Sequence, residues 1–208
     1  TISLAVDALK NEKVTADKTK MDYFTGVIKE ENKRMNKQVE TILQAALLDR
    51  QTTVLNFKKR SAHELITVAL NNIALQVADK GGTLEIKLDA TNDFILADEV
   101  HFINIINNLL ENAVKYSGSN PVIKLCTSNV GTHLRIKIED NGIGMNKETV
   151  SRIFEKFYRA HTGNIHNVKG FGLGLTYVKT MVTSHNGTIK VDSVPNKGSI
   201  FTVILPLA

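Results

Sequence analysis

The chain of 208 residues has one cysteine, Cys126, and three prolines, and it contains no long apolar run. A single cysteine excludes an internal disulfide framework and any cysteine-based zinc cage, and it suits a reducing compartment. Cys126 itself reads as a small hydrophobe within a strand. With 42% apolar and 23% charged residues, the composition is close to the globular average and excludes disordered and collagen-like classes. The roughly 18 apolar residues of a membrane span are never approached and no signal-peptide pattern opens the chain, so this piece is expected to be soluble. No Gly-Lys dipeptide occurs, which excludes a P-loop, and no internal repeat is evident.

A net charge of +5 invites a nucleic-acid hypothesis. Thr1 to Arg60 carry 12 Lys+Arg against 8 Asp+Glu, and the remainder carries 14 against 13. The excess therefore belongs to an N-terminal arm whose charges are mixed in sign and lack interleaved aromatics, and no nucleic-acid partner is expected. A second, local excess runs from Lys147 to Lys169, where Lys147, Arg152, Lys156, Arg159 and Lys169 outnumber Glu148 and Glu155.

From Asp17 to Arg50, Met21, Ile28, Met35 and Ile42 repeat at a spacing of seven, flanked by Phe24, Val39 and Ala45. This is a heptad stripe on a long helix. Thr1 to Leu9 offers a second apolar face without a cap, as though cut within a helix, and Asn11 to Asp17 connects the two. Such a hairpin completes its core by dimerising into four helices. Ser61 with Glu64 three residues on is a capping box that opens a helix ending at Gly81-Gly82. Leu84 to Leu88 and Phe94 to Leu96 read as strands, and Val100 to Tyr116 as an amphipathic helix. Val122 to Ser128 and His133 to Glu139 flank a hairpin loop at Asn129-Val130-Gly131. Lys147 to Phe157 and Leu173 to His185 read as helices, the second closed by Asn186-Gly187, and Thr188 to Val194 with Ser199 to Leu205 as a final hairpin. Mixed helices and antiparallel strands predict an α+β, two-layer sandwich with helices on one sheet face, over residues 59–208, preceded by a helical hairpin over 1–58.

Four local features carry chemistry. Asn108, Asn112 and Lys115 share one helical stripe; two amides offer hard oxygens to Mg²⁺, and a lysine offers a point charge to phosphate. Asp140-Asn-Gly142-Ile143-Gly144 follows an alternating strand, where a carboxylate can accept from an exocyclic amine and so favour adenine over guanine. Alone, that pattern is most often a turn. Phe154-Glu-Lys156-Phe157-Tyr158-Arg159 leads into a polar stretch, Ala160 to Lys169, with the composition of a lid. His161 and His166 within it are wrongly spaced for adjacent metal ligands. Gly170-Phe-Gly172-Leu173-Gly174 opens a helix whose N-terminal N–H groups suit phosphate, but its spacing is not the dinucleotide fingerprint.

In this order the motifs resemble the catalytic and ATP-binding domain of bacterial sensor histidine kinases, within the gyrase-type ATPase superfamily. The resemblance covers Ser61 to Ala208, including the closing Gly198-Ser-Ile-Phe-Thr202-Val-Ile-Leu-Pro206. Thr15 to Arg50 resembles the second helix of the family's dimerisation and phosphotransfer hairpin. The resemblance implies a Bergerat-type fold that binds ATP and Mg²⁺. It assigns Asp140 to the adenine amine with support from Thr202, and Gly142, Ile143 and Gly144 to the adenine loop. It assigns Asn108 and Asn112 to Mg²⁺ and the phosphates, and Lys115 and Tyr116 to phosphate oxygens. Arg159 and Lys156 would offset γ-phosphate charge, while Gly170, Gly172 and Gly174 would form the lid hinge, with Leu173 among them as a nucleotide-binding residue. It further implies transfer of phosphate to a hairpin histidine, a homodimer through the hairpin, and a response regulator receiver domain as partner. The kinase portion would be cytoplasmic, with a parent anchored in the bacterial inner membrane.

Hydrolysing members of the superfamily place a general-base glutamate four residues before the metal-binding asparagine. Here that position is Asn108, an amide that takes no proton, which favours transfer to histidine over a gyrase-type ATPase or an inert nucleotide scaffold. Glu111 points about 100° away around the helix. The family's acceptor pattern, His-Glu/Asp-x-x-Thr/Asn-Pro, is not met: His63-Glu64-Leu65 resembles it superficially but lies after the second helix, with no proline following. The piece is therefore expected to bind ATP without phosphorylating itself.

Overall fold

A computed structural model describes residues 1–49, 55–159 and 172–208; the side chains of Lys33, Asn72 and residues 36–49 are outside the description. The chain divides into two compact units, Thr1–Gln51 and Thr52–Ala208.

In the first unit, α1 (Ile2–Leu9) packs on α3 (Lys18–Asp49). The connection is partly helical: α2 (Glu12–Thr15) forms because Asn11 caps it, its side chain accepting from the Lys13 N–H at 3.0 Å. Ala5 is the buried residue of α1, whereas Met21 and Met35 of the heptad stripe are exposed. Ile42, Val39 and Ala45 of that stripe fall outside the described side chains.

In the second unit, β1 (Lys58–Ser61) pairs antiparallel with β3 (Phe94–Ala97) as a two-stranded ribbon. The run Lys-Lys-Arg-Ser has no apolar alternation, so sequence patterning gives it no strand; backbone pairing with β3 makes one. Helix α4 (Ala62–Asp79) begins where expected: the Ser61 hydroxyl accepts from the Glu64 N–H at 3.2 Å. Then follow β2 (Thr83–Leu88), α5 (Glu99–Tyr116), β4 (Val122–Val130) and β5 (His133–Asp140). The last elements are α6 (Lys147–Arg152), α7 (Gly174–Ser184), β6 (Thr188–Val194) and β7 (Gly198–Pro206). The five-stranded sheet has the order β2-β4-β5-β7-β6, parallel between β2 and β4 and antiparallel elsewhere. This is the α+β architecture expected, a mixed sheet covered by helices.

The core lies between one sheet face and the helices. Phe102, Ile105, Ile106, Leu109 and Leu110 of α5 are buried against Ile123, Leu125, Leu134, Ile136, Ile138, Phe201 and Val203 of the strands. Every second residue of β5 and β7 is buried, as a half-covered sheet requires. Two expectations shift. The β4–β5 loop is Gly131-Thr132, with Gly131 at φ +56, a two-residue turn that lets β4 extend to Val130. Helix α6 stops at Arg152 rather than Phe157; beyond it Phe157 adopts φ +63, and its N–H bonds the Gly172 carbonyl at 3.1 Å.

Burial separates two substitutions on the helical layer. Ile106→Ala, at a residue 0% exposed, should destabilise the second unit by about 2–5 kcal/mol. Leu75→Ala, at 69% exposure, should change stability by no more than about 0.5 kcal/mol. Urea unfolding followed by circular dichroism measures both, and comparable losses would contradict the assigned core.

Candidate functional site

Asn108, Asn112, Lys115 and Tyr116 occupy the last turns of α5, all half-buried, on the edge of its apolar face. The Asn108 amide is oriented: its Nδ2 donates to the Asn104 carbonyl at 2.8 Å. Oδ1 therefore faces α7, so closely that a Cβ on Gly174 would stand 2.7 Å from it. Gly174 is glycine because α5 and α7 meet there. The Lys115 ammonium lies 5.1 Å from the Tyr116 ring centroid. Burial pushes the Tyr116 hydroxyl up from its ordinary value, and the Arg159 charge works against that shift. The end of α5 and the cationic segment after α6 thus share one electrostatic environment.

The loop after β5 is fixed on both sides. The Ile143 N–H donates to the Tyr116 carbonyl at 3.1 Å, and the Asn196 N–H donates to the Ile143 carbonyl at 2.7 Å. Asn141 Oδ1 accepts from the Val122 N–H at 2.8 Å. A Cβ on Gly144, at φ +61, would overlap the Val194 carbonyl, so the loop passes the β6–β7 turn at backbone distance. Asp140 is 7% exposed; its Oδ1 accepts from the Gly142 N–H at 2.8 Å, and the Ser199 N–H bonds the same carboxyl. Burial raises its pKa, the nearby Glu139 adds to the rise, and the two N–H bonds oppose it. The result is a buried acceptor at a strand end.

Thr202 does not join it. On β7, Phe201 and Val203 are buried and Thr202 alternates to the opposite face, in register with Lys137 and Lys190. The residue placed beside Asp140 is Ser199, its cross-strand partner on the core side. Period-two alternation with Phe201, Val203 and Leu205 was the signal for this.

Helix α6 and the segment after it border a cleft of about 690 Å³, whose lining includes Asn146, Glu148, Thr149, Arg152, Lys156 and Arg159. Arg152 stacks on the Tyr158 ring at 4.5 Å and bonds Glu155 at 3.2 Å. Gly172, at φ +72, is required here: a Cβ would come within 2.8 Å of the Phe157 and Tyr158 backbone. Leu173 is buried as the first residue before α7. The structure therefore joins the phenylalanine motif to the second glycine motif. Gly170, His161, His166 and Lys169 lie outside the described residues.

Along the seam between α5 and α7 runs a polar thread that residue patterns concealed among apolar positions. His101 Nδ1 lies 2.7 Å from the Tyr177 hydroxyl, which burial pushes up to about 12 while a bond from Asn104 opposes the shift. At the other end of α7, His185 Nδ1 donates to the Met181 carbonyl at 2.7 Å and Nε2 accepts from the Asp98 N–H at 3.1 Å. Both ring nitrogens are thus used by the neutral form. His63, in contrast, belongs to the framework: Nε2 lies 2.9 Å from Thr127 Oγ1, and Nδ1 lies 3.7 Å from Asp93.

The profile of the family described as histidine kinase-, DNA gyrase B-, and HSP90-like ATPase matches residues 97–208, more than half of the chain and all of this site. The chain belongs to that family. Sensor protein RprX of Bacteroides fragilis (strain YCH46) is 46% identical over 209 residues, which cover 100% of this chain and 40% of RprX. The chain thus spans less than half of that relative. Full-length ShkA, solved in complex with AMPPNP, superposes with a TM-score of 0.79 at 22% identity, covering 100% of this chain and 42% of ShkA. Histidine kinase ThkA, solved in complex with response regulator protein TrrA, gives 0.69 at 21% identity, covering 100% and 57%. At these identities the superpositions speak for the fold.

Burial holds the folded pKa of His185 below its ordinary value of 6.5, against the pull of Asp98 and the Met181 bond. As pH falls through about 6.5 the unfolded chain takes a proton that the folded one refuses, so stability should fall below that pH and stay level above about 7.5. His185→Gln should decline less steeply between pH 7 and 5.5 in urea unfolding; an identical decline would contradict the assignment.

Proposed function

We propose that this site binds ATP with Mg²⁺ and that the chain is the ATP-binding and hairpin part of a sensor histidine kinase, passing the γ-phosphate to a histidine. The observation that carries the reading is the buried Asp140 carboxyl, held as an acceptor by two backbone N–H groups beside the Asn-bearing end of α5. An acceptor at that depth matches the exocyclic amine of adenine and opposes the guanine carbonyl.

The donor set fits a nucleotide-borne metal. Among the described residues no group of three or more His, Cys, Asp or Glu could cage a cation. Asn108 and Asn112 instead supply amide oxygens, and Mg²⁺ is commonly bound through a few protein oxygens, substrate phosphates and water. When bound, the ion would neutralise polyphosphate charge. Lys115 and Tyr116 would contact phosphate oxygens, and Arg159 and Lys156 would offset γ-phosphate charge. Gly172 and Gly174, with Gly170, would serve as the hinge of the lid.

Transfer is favoured over hydrolysis because Asn108 holds the position where hydrolysing relatives carry a glutamate. Its amide nitrogen donates to the Asn104 carbonyl, so no base stands there to activate water. Positioning and electrostatics then carry the reaction. The receiving histidine would lie on a helical hairpin related to α1 and α3. Exposure of Met21 and Met35 on α3 supports pairing with a second copy. The response regulator held by ThkA in its complex supports a receiver domain as the onward partner. No described helix is long and apolar enough to cross a membrane; a cytoplasmic kinase part within a membrane-anchored parent is the arrangement proposed.

Two measurements test this reading. In calorimetric titration, Asp140→Asn should weaken ATP binding by about 10- to 100-fold through loss of a charged acceptor, and equal affinity would contradict the adenine assignment. Incubated with γ-labelled ATP, the chain should acquire no stable label yet should label a supplied hairpin carrying the acceptor histidine. Stable label on the chain itself would contradict the second half of the reading.

A further inference from the structure

Ser193 has no part in the assignments above, yet its hydroxyl meets three polar groups from two segments of the site. It lies on the core-facing side of β6, opposite Ser199 of β7. Its oxygen accepts from the Met145 N–H, just after the glycine loop, at 2.8 Å. It donates to the Gly198 carbonyl at 2.9 Å and lies 3.0 Å from the Ser199 hydroxyl oxygen.

The direction of the third bond follows from the other two. A backbone N–H only donates and a carbonyl only accepts, so the single proton of Ser193 is committed to Gly198. The Ser199 hydroxyl is then the donor to Ser193, and its own oxygen keeps lone pairs alone for any other neighbour. Ser199 and Asp140 are register partners on the same face of the sheet, each 7% exposed. Side chains so placed stand about 5 Å apart. The floor beside the Asp140 carboxyl therefore offers acceptors from both strands.

We infer that Ser193 is a positioning residue for base selection: by fixing the polarity of the Ser199 hydroxyl it keeps this floor all-acceptor, which takes an exocyclic amine and refuses a ring carbonyl. The inference rests on the assignment of Asp140 to adenine. Without the Ser193 oxygen, the Ser199 hydroxyl is released to rotate and donate, and a carbonyl-bearing base regains a partner. Selectivity built on hydrogen-bond polarity is lost when that polarity is lost.

The test is titration of the 208-residue chain with ATP and with GTP, both with Mg²⁺. Ser193→Ala should lower the ratio of ATP to GTP affinity by at least about tenfold, and Ser193→Thr should hold it within about threefold of the unmodified chain. In a Ser199→Ala background, Ser193→Ala should change the ratio no further, because the hydroxyl it orients is already gone. Lower thermal stability with an unchanged ratio would make Ser193 a structural tie only and overturn the inference, as would additive effects of the two substitutions. If Ser193→Ala does not fold, Ser193→Cys, with a weaker donor and acceptor, takes its place under the same readout. An unmodified chain that binds ATP and GTP alike would instead overturn the adenine assignment, and this inference with it.

Discussion

The site depends on a backbone crossing. After β5 the chain passes so close to the β6–β7 turn that Gly144 and Gly198 have no space for a Cβ: one would overlap the Val194 carbonyl and the other the Asp140 carbonyl. This crossing buries the Asp140 carboxyl at the end of a strand. It also lets the loop bond the last turn of α5 through Ile143 and the turn through Asn196. Three separate stretches of sequence meet there, and the glycines are the condition for their meeting.

Burying a carboxyl raises its pKa and is unfavourable unless the charge is hydrogen-bonded. Here two backbone N–H groups supply part of that compensation, and an amine donor on a ligand would supply more. The same logic orders the neighbouring amide: Asn108 gives its N–H to Asn104 and turns its oxygen toward the start of α7. Under the proposed assignments, the acceptors for a base and for a metal would be set out before any ligand arrives, which reduces the reorganisation that binding requires. The polar thread from Asn104 through Tyr177 to His101 supports that end of the site along the α5–α7 seam.

Much of this was legible in sequence because it rests on local rules. The Ser61 cap, the apolar face of α5 and the alternation in β4, β5 and β7 are periodic signals, and the structure follows them. The strand β1 was not legible: its side chains carry no pattern, and its pairing with β3 is a long-range backbone event. The end of α6 was misplaced, and beyond it Phe157 enters the left-handed region to meet Gly172, a contact between residues 15 apart in sequence that no local pattern marks. Thr202 was named from the resemblance, through a motif taken as a string; the alternation of Phe201, Val203 and Leu205 puts it on the other face, and strand register sets Ser199 opposite Asp140. The contacts of Ser193 with Met145 and of His185 with Asp98 span long stretches of sequence, so no local pattern marks them.

The central claim is that Asp140 receives the amine of an adenine base. A crystal structure of the chain with a non-hydrolysable ATP analogue and Mg²⁺ tests it most directly. The account predicts the exocyclic nitrogen within hydrogen-bond distance, about 2.7–3.2 Å, of an Asp140 carboxyl oxygen, with the phosphates toward Asn112, Lys115 and Arg159. A base seated away from Asp140, for example in the cleft beside Arg152, would contradict it.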